Sequence, residues 1–412
     1  MQDVFIVGSG MTKFGVHADK TSADLGREAA LAAMKDAGAE PQGFGAVFYA
    51  NTAQGAIEGQ HAIRGQHALR PIGIEGAPLF NVENACTGSA AALHLAFGQI
   101  AGGIVDVALV VGAEKLHSSD RARRLAVFSQ PEDLAVVTAF VREYESLVAD
   151  ILPPPEAKID EAMRSVFMDA YSVQARLHMK KYGTTWRQIA QVSSKNHHHS
   201  TMNPLAQFTN DISVDEVLAA RVISWPMTLP MCAPVSDGAA AVVLCSRRAL
   251  DRFKAGRAVR VAASAAQGGS TRDINDAKRA ANYVAARRAY DQAGISPGDI
   301  SVAEVHDASA YAELNQIEMV GLCEFGEAGR LTESGATSLG GRVPVNPSGG
   351  LQSKGHPIAA TGLGQIHELV TQLRGEAGSR QVQGAAYAIA SCGGGFYGVE
   401  EALSCVTILA AK

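Results

Sequence analysis

The stretch NVENACTGSAAALHLAFGQ, residues 81–99, sets one cysteine, Cys86, against a run of small and apolar residues. The run reads as a short helix beginning near Gly88, with Cys86 at its N-terminal tip. A helix tip carries partial positive charge and free N–H groups, which favour a thiolate. The competing reading is a small apolar side chain, because free cysteines are among the most buried residues. A second stretch follows the same plan. In SKGHPIAATGLGQIHEL, residues 353–369, His356 stands just ahead of another Ala/Gly-rich helix, with Lys354 beside it and Pro357 at the expected first helical position. Two helices, each led by a reactive type of side chain, suggest an internal duplication of one α/β unit.

The flanking sequence supports that pattern. DVFIVGSG, GAVFYAN and VDVALVVGAEK read as strands, and SADLGREAALAAMKDAG as an amphipathic helix. After residue 257 the order returns: RAVRVAASAA as a strand, NYVAARRAYDQAG as a helix, SVAEVHDA as a strand, and residues 384–409 as a final pair of strands. Continuous apolar runs of this kind fit parallel strands covered on both faces. The expected fold is therefore α/β, with residues 1–116 as one half, completed by 236–256, and residues 257–412 as the other. Residues 117–235 break the pattern with ILPPPEAKIDEAM, the helical DAYSVQARLHMKKYG and the irregular NHHHSTMNPLAQF, and read as an insertion.

Composition narrows the classes of function. A chain of 412 residues with 47% apolar and 19% charged residues has ample core for more than one packed unit. Its net charge of −5 gives no basic field for nucleic acid or an anionic membrane. No apolar run approaches the length of a membrane span, and the N-terminus reads as a strand and not as a signal peptide. Six cysteines without a CxxC pair suit a reduced, cytoplasmic setting. The basic clusters Arg121-Ala-Arg123-Arg124 and Lys180-Lys181 are candidates for a phosphate-bearing ligand, although such clusters are mostly solvated faces.

Three further stretches carry candidate chemistry. In NPSGGLQSKGHP the glycines would let backbone approach a ligand, and His356 is either a general base for a thiol or a structural histidine on a turn. In ASCGGGFYG, Cys392 precedes three glycines whose N–H groups suit an oxyanion hole, with a Gly-rich turn as the alternative. In EVHDASAYAEL, His306 and Asp307 close an apolar strand, where α/β sheets present functional groups, or form a strand-end hydrogen-bonding pair. The adjacent histidines of NHHHS point in different directions and lack the spacing of a metal site, so no metal is expected.

These blocks together resemble the thiolase superfamily, and within it the sterol-carrier-protein type. The resemblance runs through GMTKFG, NACTGSAAAL, GAEKL, KYGTT, KNHHHSTMNP, APVSDGAAA, EVHDA, NPSGGLQSKGHPIAATG and CGGG. It implies a layered αβαβα fold, commonly dimeric, in which Cys86 carries an acyl group as a thioester. It also implies that His356 activates that thiol and helps hold the thioester oxygen, and that Cys392 is the acid/base at the substrate α-carbon. His306 would then complete one oxyanion hole, with the N–H groups of Cys86 and Gly394 forming the other. The activity implied is CoA-dependent C-acyl transfer on 3-ketoacyl-CoA or its reverse, with coenzyme A as co-substrate, no bound cofactor, and residues 117–235 covering CoA and substrate. Relatives of this type often pair with a small acyl-CoA-binding protein. An aldolase, a decarboxylating synthase and a CoA- or lipid-binding subunit are the rival readings, the first two disfavoured by Cys86 and Cys392. The sequence departs from the family at Ala359, usually glycine, and over residues 126–160, which would shape the acyl pocket.

Overall fold

The computed structural model describes residues 2–129, 131–159 and 164–411. Among them, nine strands join into one sheet. In chain order these are β1 (Val4–Met11), β2 (Ala46–Ala50), β3 (Leu79–Val82), β4 (Val107–Glu114), β5 (Gly238–Ser246), β6 (Val259–Gly268), β7 (Val302–Val305), β8 (Tyr387–Tyr397) and β9 (Glu400–Ala410). The principal helices are α1 (Ser22–Ala37), α2 (Gly88–Ala101), α3 (Pro131–Tyr144), α4 (Val166–Tyr182), α5 (Trp186–Ser200), α6 (Ala281–Ala293), α7 (Ala310–Met319) and α8 (Thr361–Leu373).

The duplication is visible in the strand order. The first half runs β3-β2-β4-β5-β1, with β2 parallel to both β3 and β4, and β5 antiparallel to β4 and β1. The second half repeats it as β7-β8-β9-β6, with β7 parallel to β8 and β9 antiparallel to β8 and β6. The place of β3 is taken by Val345, bridged in parallel to Ala303 of β7. The halves meet where β1 pairs with β6. The apolar run in β5 thus belongs to an antiparallel strand, yet it is covered on both faces as a parallel one would be.

Side-chain alternation divides the interior into three large cores and hence five layers. In β5, Ala240, Val242 and Leu244 face the central core, while Ala239, Ala241, Val243 and Cys245 face an outer one. The central core packs α2 and α8 between the two halves of the sheet, α1 covers the outer face of the first half, and α6 and α7 cover that of the second. Because α2 and α8 are sandwiched, small residues line their contact. A Cβ at Gly362 would come 2.8 Å from the Ala90 amide nitrogen.

The three histidines 197–199, read above as irregular, lie in the last turn of α5. The helix is set by a capping box in which Thr185 and Gln188 satisfy each other's backbone N–H groups. Their rings go separate ways: His197 to the Asn210 carbonyl, His198 to Asp211, and His199 to the Asn346 carbonyl and the Leu339 N–H. Pro357 is not the first helical residue, since a 3-10 turn, Ile358–Ala360, separates it from α8. No helix among the described residues is long and apolar enough to cross a membrane.

Candidate active site

Cys86 and His356 occupy equivalent places in the two halves, each between the third strand position and the buried helix that follows. The tips of α2 and α8 are therefore drawn to one point. Cys86 lies in a 3-10 turn, Ala85–Thr87, that runs directly into α2, and is preceded by Ala85 at φ 45°, in the left-handed region unfavourable to a side chain. His306 follows the end of β7 and joins them. The Cys86 sulfur and ring nitrogens of His306 and His356 all lie within 4.8 Å of one another. The two imidazole centroids are 5.4 Å apart.

Cys392 completes the group from β8, its thiol 3.4 Å from the Cys86 carbonyl oxygen. The Thr87 hydroxyl donates to the Cys392 carbonyl at 3.0 Å, tying the nucleophile turn to the β8 strand. The glycines after Cys392 are not a turn: all three lie within β8, Gly393 and Gly394 paired with Ser404 and Leu403 of β9 and Gly395 at φ 68°. Gly394 lies directly under the Cys86 turn: a Cβ there would overlap the Asn84 carbonyl oxygen and stand 2.5 Å from the Thr87 nitrogen. All five residues singled out from the sequence, Cys86, His306, His356, Cys392 and Gly394, thus belong to one cluster.

The electrostatics differ from the helix-tip expectation. The Cys86 thiol is pushed up to about 12, first by burial and then by the nearby Glu114 carboxylate, so the resting group is a thiol and needs a base. Burial and the Cys86 sulfur also raise Cys392 well above the usual thiol range. Burial lowers His306 to about 4, and burial with the neighbouring His306 holds His356 well below its usual value, so both rings are neutral near pH 7. The His356 Nδ1 is 2.7 Å from the Thr361 hydroxyl, which itself donates to the Pro357 carbonyl at 3.3 Å. That chain assigns the ring proton to Nδ1 and leaves Nε2 as the basic nitrogen.

Other sequence candidates are placed elsewhere. Lys354 is buried and donates to Glu304 at 3.0 Å, away from the chemistry of His356. The glycines of NPSGG lie against protein groups, Gly349 against Ser200 and Gly350 against Asp307. Gly350, at φ 61°, makes room for the Asp307 carboxylate, whose Cγ would be 2.8 Å from an added Cβ. Asp307 accepts from the Leu351 N–H, Gln352 Nε2 and Asn196 Nδ2, so it anchors this loop behind His306. Ala359 is accommodated without a clash, its N–H donating to Glu114 at 3.2 Å.

Glu114 lies in the GAEKL block that carries the resemblance, although nothing in its own spacing singles it out as a site residue. It is fully buried at the end of β4 and accepts from the Thr52 and Ala53 N–H groups, Asn51 Nδ2 and the Ala359 N–H. It therefore pins the loop after β2 to the loop after His356, across the two halves. Four donors and no acceptor define an oxygen-only site. Glu114→Gln turns an amide NH2 toward donors and is expected to destabilise the fold by about 2–3 kcal/mol. A clearly lower melting temperature in calorimetry checks this, and an unchanged one would remove Glu114 from its anchoring role.

Comparison with known proteins agrees with this geometry. The family model described as Thiolase, N-terminal domain matches residues 4–220, and Thiolase C-terminal domain-like matches residues 262–409. An acetyl-CoA acetyltransferase of Methanothermobacter thermautotrophicus is 37% identical over 390 residues, covering 93% of this chain and 94% of that protein. Sterol carrier protein 2 of Bos taurus is 38% identical over 401 residues, covering 94% of this chain and 69% of that protein. In fold, the chain is similar to the Ltp2-ChsH2(DUF35) aldolase, with a TM-score of 0.78 at 24% identity, covering 99% of this chain and 98% of that one. With its duplicated halves meeting at a Cys–His–His–Cys cluster and both family domains present, the chain belongs to the thiolase family and is a CoA-dependent C-acyltransferase.

Proposed function

We propose that the enzyme cleaves a 3-ketoacyl-CoA, or forms one in reverse, through an acyl thioester on Cys86. In cleavage, His356 takes the Cys86 proton as the sulfur attacks the 3-keto carbon. The bond between the α-carbon and that carbon breaks, which leaves the shortened acyl group on Cys86, and the departing enolate takes a proton from Cys392 and leaves as acetyl-CoA. Coenzyme A then gives its proton to the Cys392 thiolate, attacks the Cys86 thioester and carries the shortened acyl group away, and His356 returns its proton to the released Cys86 sulfur. His306 and His356 hold the enolate oxygen, and the Cys86 and Gly394 N–H groups hold the oxyanion formed at the attacked carbonyl. The observation that carries this reading is the convergence of Cys86, His306 and His356 within 4.8 Å, with Cys392 alongside. Neutral histidines suit the base role, and a raised Cys392 thiol suits the proton donor in the cleavage direction.

Cys86 and Cys392 favour acyl transfer over the aldolase and decarboxylating alternatives, since an aldolase needs no acyl carrier. Residues 117–235 act as the cover over CoA and substrate, with residues 1–116 completed by 236–256 and residues 257–412 as the two catalytic halves. Homodimerisation uses β3, which lies at the edge of the sheet with Phe80 44% exposed. A small acyl-CoA-binding partner is a further element of the proposal, supported by the two-component name of the Ltp2-ChsH2(DUF35) aldolase. The test separates the two cysteines. Cys392→Ala should still form an acyl adduct from acetyl-CoA, but lose exchange of the acetyl-CoA α-protons with deuterium oxide by about 10²-fold or more. Exchange at the unaltered rate would remove Cys392 from the base role.

A further inference from the structure

The hairpin that carries Cys392 also carries a carboxylate with no part in this reaction. Glu401 stands on β9 opposite Phe396 of β8, and its side chain folds back over Gly393, where a Cβ would lie 2.6 Å from Oε1. The carboxylate is thereby held beside the residue next to Cys392. Oε1 accepts from Gln316 Nε2 at 3.2 Å, and Gln316 is in turn fixed by Asn282 and the Ser391 hydroxyl. The guanidinium nearby, Arg272, is committed to Glu400 at 2.9 Å, so Glu401 has no ion-pair partner among the described residues.

Glu401 opens on a cavity of about 350 Å³ formed between α4, α7 and the hairpin. Tyr171 and Phe396 form one wall, their rings edge to face at 6.3 Å, and the Tyr171 hydroxyl has no hydrogen-bond partner among the described residues. Leu177 and Ile274 add apolar surface, while Gln174, Asn315, Lys181 and Arg272 add polar and charged groups. Burial raises the Glu401 carboxyl above its usual range, and Phe396 and Glu401 line the cavity from the hairpin that carries Cys392, which sets it beside the reacting centre.

We propose that this cavity receives the distal part of the acyl group, and that Glu401 with Tyr171 makes it selective for 3-ketoacyl-CoA thioesters carrying a hydroxyl there over plain alkyl ones. This rests on the acyl-transfer reading of the Cys86 centre. An alkyl chain filling the cavity strips water from the carboxyl and the phenol and returns no hydrogen bond. A substrate hydroxyl donates to Glu401 and accepts from Tyr171, which leaves neither group unpaired.

The experiment measures thiolytic kcat/KM on 3-ketoacyl-CoA thioesters of one chain length, either unsubstituted or bearing a single hydroxyl at successive distal positions. The enzyme should prefer its best hydroxylated substrate by about tenfold or more. Glu401→Leu should collapse that ratio toward one, and Glu401→Gln, which can still hydrogen bond, should retain part of it. Equal treatment of both series by the unaltered enzyme would overturn the inference, as would a Glu401→Leu variant that keeps the ratio while slowing both series. Acylation of Cys86 by acetyl-CoA, run in parallel, separates the two levels. Acylation without selectivity sinks this inference alone, whereas no acylation by any donor sinks the acyl-transfer reading and this inference with it.

Discussion

Cys86→Ala is expected to lower thiolytic turnover by at least about 10⁴-fold while leaving the fold intact. The magnitude follows from what the thiol supplies. Without it there is no covalent carrier, and direct attack by coenzyme A would have to occur at a site arranged for a protein sulfur. The fold should tolerate the change because the Cys86 side chain is only partly buried, against Ala53, Ile57, Leu116 and Ile358, and no hydrogen bond of the turn depends on its sulfur. Steady-state kinetics on a 3-ketoacyl-CoA, with a melting curve beside them, check the expectation. Cys86→Ser is the sharper control, since a hydroxyl matches the thiol in position and fails through its poorer nucleophilicity. A Cys86→Ala enzyme retaining a tenth of its turnover would show that the acyl group travels by another route.

The second large effect is expected at a residue with no side chain. Gly394→Ala puts a Cβ into the Asn84 carbonyl oxygen and 2.5 Å from the Thr87 nitrogen, so the Cys86 turn has to move. These neighbours are backbone atoms, one on each side of Cys86, and Ala85 already holds the turn in a strained conformation at φ 45°. The displacement therefore reaches both the sulfur and the Cys86 N–H. A misdirected oxyanion donor costs about 10²–10³-fold in kcat. We expect a loss of that size in kcat with a smaller change in KM, together with about 1–3 kcal/mol of lost stability from the overpacked contact. A kcat within twofold of the unaltered enzyme would mean that the turn can relax, and that Gly394 is not part of the oxyanion hole.

How far the site can be read from sequence differs residue by residue, for physical reasons. Cys86 and His356 are legible because each precedes a buried helix whose small residues are a strong local signal, and because the same plan occurs twice. Cys392 is legible as a residue, but not its setting. Three glycines suggest a turn by their propensity, whereas pairing of Gly393 and Gly394 with Ser404 and Leu403 continues the strand through them. The histidines of α5 look irregular from their own composition. The signal that does find them lies upstream, in the Thr185–Gln188 capping spacing that starts the helix. The charge state of Cys86 is misread from sequence because a helix tip is a local feature. The Glu114 carboxylate that opposes it arrives from β4, 28 positions along the chain, and burial is a property of the whole fold. Glu401 is hidden for a similar reason: only the β8–β9 register brings it over Gly393.

The central claim is that Cys86 carries the acyl group, and trapping that intermediate tests it most directly. The protein would be incubated with acetyl-CoA, quenched in acid, and analysed by intact-mass and peptide-mapping mass spectrometry. The account predicts one acetyl group per chain, on the peptide containing Cys86. The adduct should be discharged by added coenzyme A, absent from Cys86→Ala and present in Cys392→Ala. An adduct mapped to Cys392, or no adduct from acetyl-CoA or any longer acyl-CoA, would contradict it.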